Sequence, residues 1–376
     1  MKKILFLTGT RADFGKIKSL IQILEKDQDF VPYIAVTGMH LQQEYGYTLI
    51  EIERCGFENI HTFSNHTHET TMDLTLAKTI EGLSAYVKEC QPDLIIVHGD
   101  RVETLAGAIV GSLNNILVAH IEGGEISGTV DELIRHSVSK LCHIHFVSNE
   151  QAAKRLIQMG ELSSSIFTIG SPDVDIMFSE NLPDLETAKT YYDIGFDNFA
   201  IAMFHPVTTE AKYMMEYAAN FIQALLNDNH NYVVIYPNND LGSKAILDAY
   251  QQLKDNPRFR IFPSLRFEYF LTLLKNAQFI IGNSSAGIRE APYYGIPIIN
   301  IGTRQQNRAV HSEIINADYS VEAINDALKT IDSHTVNAEK EDFGAGNSAG
   351  LFLNSLKNQD IWQLNHQKQF RDIDAQ

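Results

Sequence analysis

The chain reads as an α/β protein built from two doubly wound parallel-sheet domains in tandem. Its apolar runs are short and continuous rather than alternating, the pattern of strands buried on both faces. Segments with helical apolar spacing separate them, giving the βαβ rhythm of an open twisted sheet with right-handed crossovers. The series halts at a polar stretch, SENLPDLETAKTYYDIGFDN (179–198), and then starts again. At 376 residues a single core is improbable on size alone.

In the first half the strand candidates are ILFLTG (4–9), YIAVTG (33–38), LIIVHG (94–99), ILVAHIEGG (116–124), IHFVSN (144–149) and IFTIGS (166–171). Each is rich in β-branched or aromatic residues and ends in small or polar ones. Between them, Met72–Cys90, Val102–Leu113 and Val130–Leu141 carry apolar residues at helical spacing. The second half offers FAIAMFHP (199–206), YVVIYPN (232–238), FRIFPS (259–264), FIIGNSS (279–285) and PIINIGT (297–303), with helices over Glu210–Leu226 and Phe267–Lys275. The domains are therefore expected at 1–172 and 173–359. The last stretch, Asp360–Gln376, reads as polar and helical. A return of that segment onto the first domain is left open by the sequence.

The composition is that of a soluble globular protein, with 44% hydrophobic residues and a net charge of −17. Such an acidic chain disfavours bulk nucleic-acid binding but leaves room for a small anion held by local cations and backbone donors. Cys55, Cys90 and Cys142 are too few and too scattered for a disulfide framework or a CxxC site. No apolar run reaches membrane-spanning length. MKKILFLTGT passes straight into RADFGK without a cleavage site, so it reads as a first strand, and the protein as cytoplasmic.

Strand ends hold the chemistry, because ligands of open α/β sheets sit beyond the carboxyl ends of strands. Thr8-Gly9-Thr10-Arg11 follows the first strand, but no GxGxxG follows any strand. Gly344-Ala345-Gly346 with Gly350 is the nearest approach and follows none, so a dinucleotide cofactor is poorly supported. Gly282–Glu290 passes from strand through Asn283, Ser284 and Ser285 into a helix start, a ready anion site, with Glu290 placed to accept from sugar hydroxyls. Plain N-capping by either serine is compatible with that role. His205 closes FHP and could donate to a phosphate oxygen.

Asp100 ends VHGD, Glu122 sits in HIEGGE, and Asp131 follows in GTVDE. Asp100 or Asp131 alone could be an N-cap. Three carboxylates converging would have an electrostatic cost that points to proton-transfer chemistry. His136, His143 and His145 lack companions at metal-ligand spacing and read as structural, so no metal is expected. HExxH and a Walker lysine are absent from the sequence.

Taken together, TGTRADFGK (8–16), HGDR (98–101), HIEGGE (120–125), GTVDELIRHSVSKL (128–141), FHPVTTE (204–210), YPNND (236–240), GNSSAGIREAP (282–292) and GTRQQNR (302–308) resemble the UDP-N-acetylglucosamine 2-epimerase family, in order from about residue 4 to 310. They are most similar to its hydrolysing branch, which releases N-acetylmannosamine and UDP for sialic acid synthesis. GAGNSAG (344–350) resembles the family's late glycine-rich motif.

The resemblance implies two Rossmann-like domains of the glycosyltransferase-B type facing a central cleft, a reaction without cofactor, and a homodimer or homotetramer. It implies acid/base roles for Asp100, Glu122 and Asp131, and stabilisation of the leaving diphosphate by His205. Arg11, Arg101, Asn238, Ser284, Ser285, Glu290 and Arg304 match nucleotide-contacting positions, with Glu290 on the ribose. Gly15 stands where some relatives have serine, so a side-chain contact is lost there. Relatives acting on UDP-diacetylbacillosamine share the UDP-end motifs, and a glycosyltransferase would suit the same fold.

Overall fold

The computed structural model describes residues 1–66, 71–127, 130–305, 314–336 and 343–372. The chain forms two compact units. The first contains residues 1–125 and 131–178 and takes back the chain from 343 on; the second is built mainly from 179–336.

The first unit holds a seven-stranded sheet: β1 (Lys2–Thr8), β2 (Phe30–Val36), β3 (Ile60–Thr62), β4 (Leu94–His98), β5 (Leu117–Ile121), β6 (Ile144–Val147) and β7 (Ile166–Thr168), in the order β3-β2-β1-β4-β5-β6-β7. The second holds β8 (Ala200–Met203), β9 (Tyr232–Ile235), β10 (Phe259–Phe262), β11 (Ile280–Gly282), β12 (Ile298–Ile301) and β13 (Ile315–Ala317), in the order β10-β9-β8-β11-β12-β13. The pairings are parallel in both sheets. Both units are thus Rossmann-like, with the strand order reversing between β1 and β4 in one and between β8 and β11 in the other.

The apolar runs are continuous because both faces of each sheet are covered. In β1, Ile4 and Phe6 enter one cluster with Phe14, Ile17 and Leu20 of the first helix. Leu5 and Leu7 point the other way and join Leu83, Val87 and Val97. Each such side chain contributes roughly 1.5–3 kcal/mol on burial. β3 and β13 escape sequence reading because they are three-residue edge strands without a continuous apolar run. Helices lie at Met72–Cys90, Val102–Leu113, Val130–Leu141 and Phe267–Lys275, the bounds read from the apolar spacing. The segment expected as one helix from Glu210 instead begins as a 3-10 turn, Thr208–Tyr213, before the α-helix Met214–Asn227. No residue of that turn is buried, so packing does not hold it to α geometry.

The domain division differs from the expected 1–172 and 173–359. The helix Ser348–Lys357 belongs to the first unit, because Phe352 and Leu356 enter its core beside Phe6 and Phe146. Its first turn is capped by Asp175, whose two oxygens accept from the amides of Ser348 and Ala349 at 2.8 Å each. Beyond it the expected helix over 360–376 is a short 3-10 turn, Gln359–Gln363, followed by non-helical chain; residues 373–376 lie outside the described ones. Ile361 enters the first unit's core with Trp362 and Leu364 packed on it, but no apolar stripe continues beyond, and side chains hold the rest. Trp362 stacks on Phe30, and His366 Nδ1 lies 2.6 Å from the Asn115 carbonyl. Among the described residues no helix is long and apolar enough to cross a membrane.

Lys368 ends in a buried ion cluster. Glu161, 2% exposed, receives Lys140 Nζ at 2.7 Å, His145 Nε2 at 3.1 Å and Lys368 Nζ. Burial would raise the Glu161 pKa, but the bond to His145 and the two ammonium groups outweigh it and bring the value down to about 2. A carboxylate depressed in the folded state stabilises fully above its unfolded pKa, and that contribution fades as pH falls. Glu161→Gln is therefore expected to cost about 3 kcal/mol at pH 7. The gap from the native chain should narrow as pH drops from about 4.5 toward 2. Urea unfolding midpoints at several pH values check this, and a gap independent of pH would refute it.

Candidate active site

In the first unit the polar groups gather where β1, β4 and β5 end, at the reversal of strand order. β4 ends on His98. Its Nδ1 lies 2.8 Å from Asp13 Oδ1, on the helix that follows β1, and its Nε2 lies 3.3 Å from Glu122 Oε2, just past β5. The second approach is an ion pair without hydrogen-bond geometry. Asp13 is fixed in turn by the Gly9 amide on its other oxygen, at 3.2 Å. Burial pulls the imidazole toward neutrality, but Glu122 and Asp13 outweigh it and hold the pKa up at about 9.

Glu122 is 3% exposed, and its other oxygen accepts from the Ser171 hydroxyl. Its backbone is left-handed, with φ +63°, a region that costs a non-glycine residue about 1 kcal/mol. Two bonds over-determine that conformation: the Glu122 amide donates to Phe146 O at 2.9 Å, and Arg135 donates to the Glu122 carbonyl. The same guanidinium binds the Asp100 carboxylate. Arg135 thereby ties together the ends of two neighbouring strands, β4 and β5.

The capping alternatives are thereby decided. The N-cap position of the helix Val102–Leu113 is Arg101, and the Asp100 carboxylate one residue earlier accepts from Arg135. Asp131 lies inside the first turn of the helix Val130–Leu141, one turn before Arg135, which places the two side chains on one face. Arg11 pairs with Glu51 at 3.6 Å and Arg101 with Glu103 at 3.2 Å. His120 bridges Ser139 Oγ at 3.0 Å and the Gly99 carbonyl at 2.8 Å, stiffening the turn before Asp100. Burial holds its pKa down at about 3, so it is neutral.

The other histidines act structurally. His145 serves Glu161, His143 accepts from the Val118 amide at 3.1 Å, and His136 faces Glu132 at 3.8 Å. Among the described residues no group of histidine, cysteine and acidic side chains could hold a metal.

In the second unit the equivalent strand ends are β8 and β11. Asn283 braces them: its Oδ1 accepts from the His205 amide at 2.6 Å and its Nδ2 donates to the His205 carbonyl at 2.8 Å. The Asn238 amide donates to His205 Nδ1 at 3.0 Å. An accepting Nδ1 leaves the ring proton of the neutral imidazole on Nε2, the state that can donate to an anion. Gln305 Nε2 and Arg304 reach the Asn283 carbonyl at 2.8 and 3.2 Å. His205, Asn238 and Arg304 thus share one hub.

The helix expected after Ser285 is a single turn, Ala286–Arg289, so little macrodipole is available there. Ser284 Oγ accepts from the Ala286 amide at 3.3 Å, while Ser285 makes no side-chain cap. Glu290 is buried directly after that turn.

Sequence reasoning missed Asp13, His98, Arg135, Ser171 and Asn283 as site residues. Four lie inside quoted motifs, beside the residues singled out. Ser171 lies at the end of a predicted strand, where only its junction position could have signalled it.

The sequence profile of UDP-N-acetylglucosamine 2-epimerase matches residues 22–357. A Neisseria meningitidis serogroup B protein named UDP-N-acetylglucosamine 2-epimerase is 48% identical over 376 residues, covering 99% of this chain and 100% of that one. A Legionella pneumophila UDP-N,N'-diacetylbacillosamine 2-epimerase (hydrolyzing) is 35% identical, covering 88% of each chain. Among solved structures, the Methanocaldococcus jannaschii UDP-GlcNAc 2-epimerase in complex with UDP-GlcNAc and UDP has a TM-score of 0.79 at 22% identity, over 95% of this chain and 99% of that one. That likeness concerns the fold. The profile match and the near-full-length identities place the sequence itself: this chain belongs to the UDP-N-acetylglucosamine 2-epimerase family.

Proposed function

We propose that this chain is a hydrolysing 2-epimerase that converts UDP-N-acetylglucosamine and water to N-acetylmannosamine and UDP, the entry to sialic acid synthesis. The observation that carries the reading is the Arg135 clamp. One guanidinium fixes the Asp100 carboxylate and the Glu122 backbone at adjacent strand ends, in a chain whose relatives are named 2-epimerases. The hydrolytic outcome is supported by the Legionella relative, whose name specifies it.

In this scheme a carboxylate takes the proton from the sugar's second carbon. The bond between the anomeric carbon and the UDP oxygen breaks, and a carbon–carbon double bond forms, giving 2-acetamidoglucal. Water then adds, hydroxyl to the anomeric carbon and proton to the second carbon from the opposite face. Asp100, Glu122 and Asp131 are the groups for these proton transfers. His205 Nε2–H is assigned to the departing diphosphate, with Ser284, Ser285, Arg304, Asn238, Arg11 and Arg101 as further nucleotide contacts and Glu290 on the ribose.

Incubation with UDP-N-acetylglucosamine alone in D₂O tests the reading. NMR and mass spectrometry should find free UDP and N-acetylmannosamine with one deuterium at the second carbon. An absolute demand for an acceptor sugar would instead make the chain a glycosyltransferase. Turnover of UDP-N,N'-diacetylbacillosamine in preference would move the substrate to that of the Legionella relative.

A further inference from the structure

We propose that Ser171 and His98 are positioning residues for Glu122: the hydroxyl pins one carboxylate oxygen, and the imidazole, carried as a cation, braces the other. The inference rests on the reaction proposed above and adds to it two residues that need not touch the sugar.

A glutamate's terminal torsion is broad, so an unbraced carboxylate would sample many orientations. Here both oxygens are engaged, from different elements. Ser171 approaches Oε1 from the segment after β7, and His98 approaches Oε2 from the end of β4.

The two facing carboxylates favour a charged imidazole as well. A neutral His98 donating to Asp13 through Nδ1 would turn the bare Nε2 lone pair toward Glu122 Oε2, 3.3 Å away. Two acceptor carboxylates on opposite ring nitrogens suit a ring with both nitrogens protonated. The titratable and charged groups packed about it agree. Asp13 comes from the first helix and Glu122 follows β5. His120 on β5 is neutral, and Asp100, in the loop beyond His98, has its charge met by Arg135. The His98 carbonyl is tied down by Thr104 Oγ1 at 2.7 Å, so the ring has a fixed base.

Ser171 is held from behind by the late glycine-rich segment, for which the sequence offered no chemistry. Its amide donates to the Phe343 carbonyl at 2.6 Å, and Ser348 Oγ donates to its carbonyl at 3.1 Å. This close crossing depends on Gly344: with φ +113°, a Cβ there would lie 2.8 Å from Gly170 Cα. The role of GAGNSAG is thus to seat the serine that seats Glu122.

Histidine-labelled NMR and steady-state kinetics test this together, using whichever UDP-sugar the product assay shows to be turned over. The His98 signal, identified by its loss in His98→Gln, should titrate near pH 9 in the native chain and at least one unit lower in Glu122→Gln. Ser171→Ala should lose about 30-fold in kcat with KM and UDP affinity within about twofold, and Ser171→Cys should recover part of the loss. His98→Gln should lose about 100-fold. The acid limb of its kcat profile should also move to higher pH, because a carboxylate without its cation holds a proton more tightly. Intact UDP affinity checks folding in each variant. A His98 that titrates near 6.5, or native kcat in Ser171→Ala, would overturn the proposal. The NMR measurement needs no turnover. A chain inert toward both UDP-sugars would therefore remove the proposed reaction, while the brace would stand or fall on the titration.

Discussion

Replacing Glu122 with glutamine is expected to cut turnover of UDP-N-acetylglucosamine at least about a hundredfold, equivalent to roughly 2.7 kcal/mol in the barrier, while UDP still binds. The amide has the carboxylate's shape, so the Ser171 hydroxyl keeps an acceptor and the strained backbone at φ +63° keeps its bonds to Phe146 and Arg135. What disappears is the capacity to take and return a proton. The second-unit groups assigned to UDP, around Asn283, are not altered. Asp100→Asn and Asp131→Asn should each cost a similar factor, but by routes that can be separated. Asp100 neutralises Arg135, which is almost fully buried. Its replacement should therefore also lower stability by about 3 kcal/mol, the cost of stranding one buried partner. Asp131, half-buried in the first turn of its helix, should cost less stability than Asp100. Stopped assays with UDP titration calorimetry decide the matter, and native turnover in all three variants would remove the proton-transfer scheme.

How much of this was legible in the sequence depends on what each residue's neighbours are. The strands of both sheets could be read because burial on both faces leaves an apolar run, as in Ile4–Leu7. β3 and β13 could not, since neither three-residue edge strand lies in a continuous apolar run, whereas β7, equally short, runs on into Ile169. The carboxylates and His205 were visible as polar residues at strand ends. Their partners were hidden for a physical reason. Arg135 is one turn into a helix where an arginine ordinarily faces solvent, and Ser171 looks like a junction residue. Each acquires its role from a contact 35 or 49 residues away. The return of Ser348–Lys357 to the first unit was misplaced for the same reason. Asp175 caps it across 173 residues, and no local pattern records that. The turn after β11, the candidate anion site, was legible in composition but not in length, because Pro292 and Gly295 cut the expected helix to a turn.

Gly282→Ala should be the most damaging single-methyl change in the second unit. Gly282 ends β11 with φ +133°, which an L side chain rarely adopts, and a Cβ built there would lie 1.9 Å from the Met203 carbonyl oxygen. That oxygen cannot move aside cheaply. It belongs to β8, pairs in register with Gly282, and accepts the Asn283 amide at 3.0 Å. Relief requires the two strand ends to part, and the parting breaks the Asn283–His205 brace that fixes the donor assigned to the diphosphate. A cost of about 4 kcal/mol is expected, in the range reserved for backbone strain and broken buried networks. For a unit of this size that corresponds to a fall of roughly 10 °C in melting temperature. UDP affinity should fall with it, because Asn283 holds His205 and Arg304, two of the groups assigned to the nucleotide. This separates the change from Glu122→Gln, which spares UDP binding and destroys turnover. Differential scanning calorimetry with and without UDP reads both effects, and a variant that melts within 2 °C of the native chain would show that β8 and β11 do not need the bare glycine.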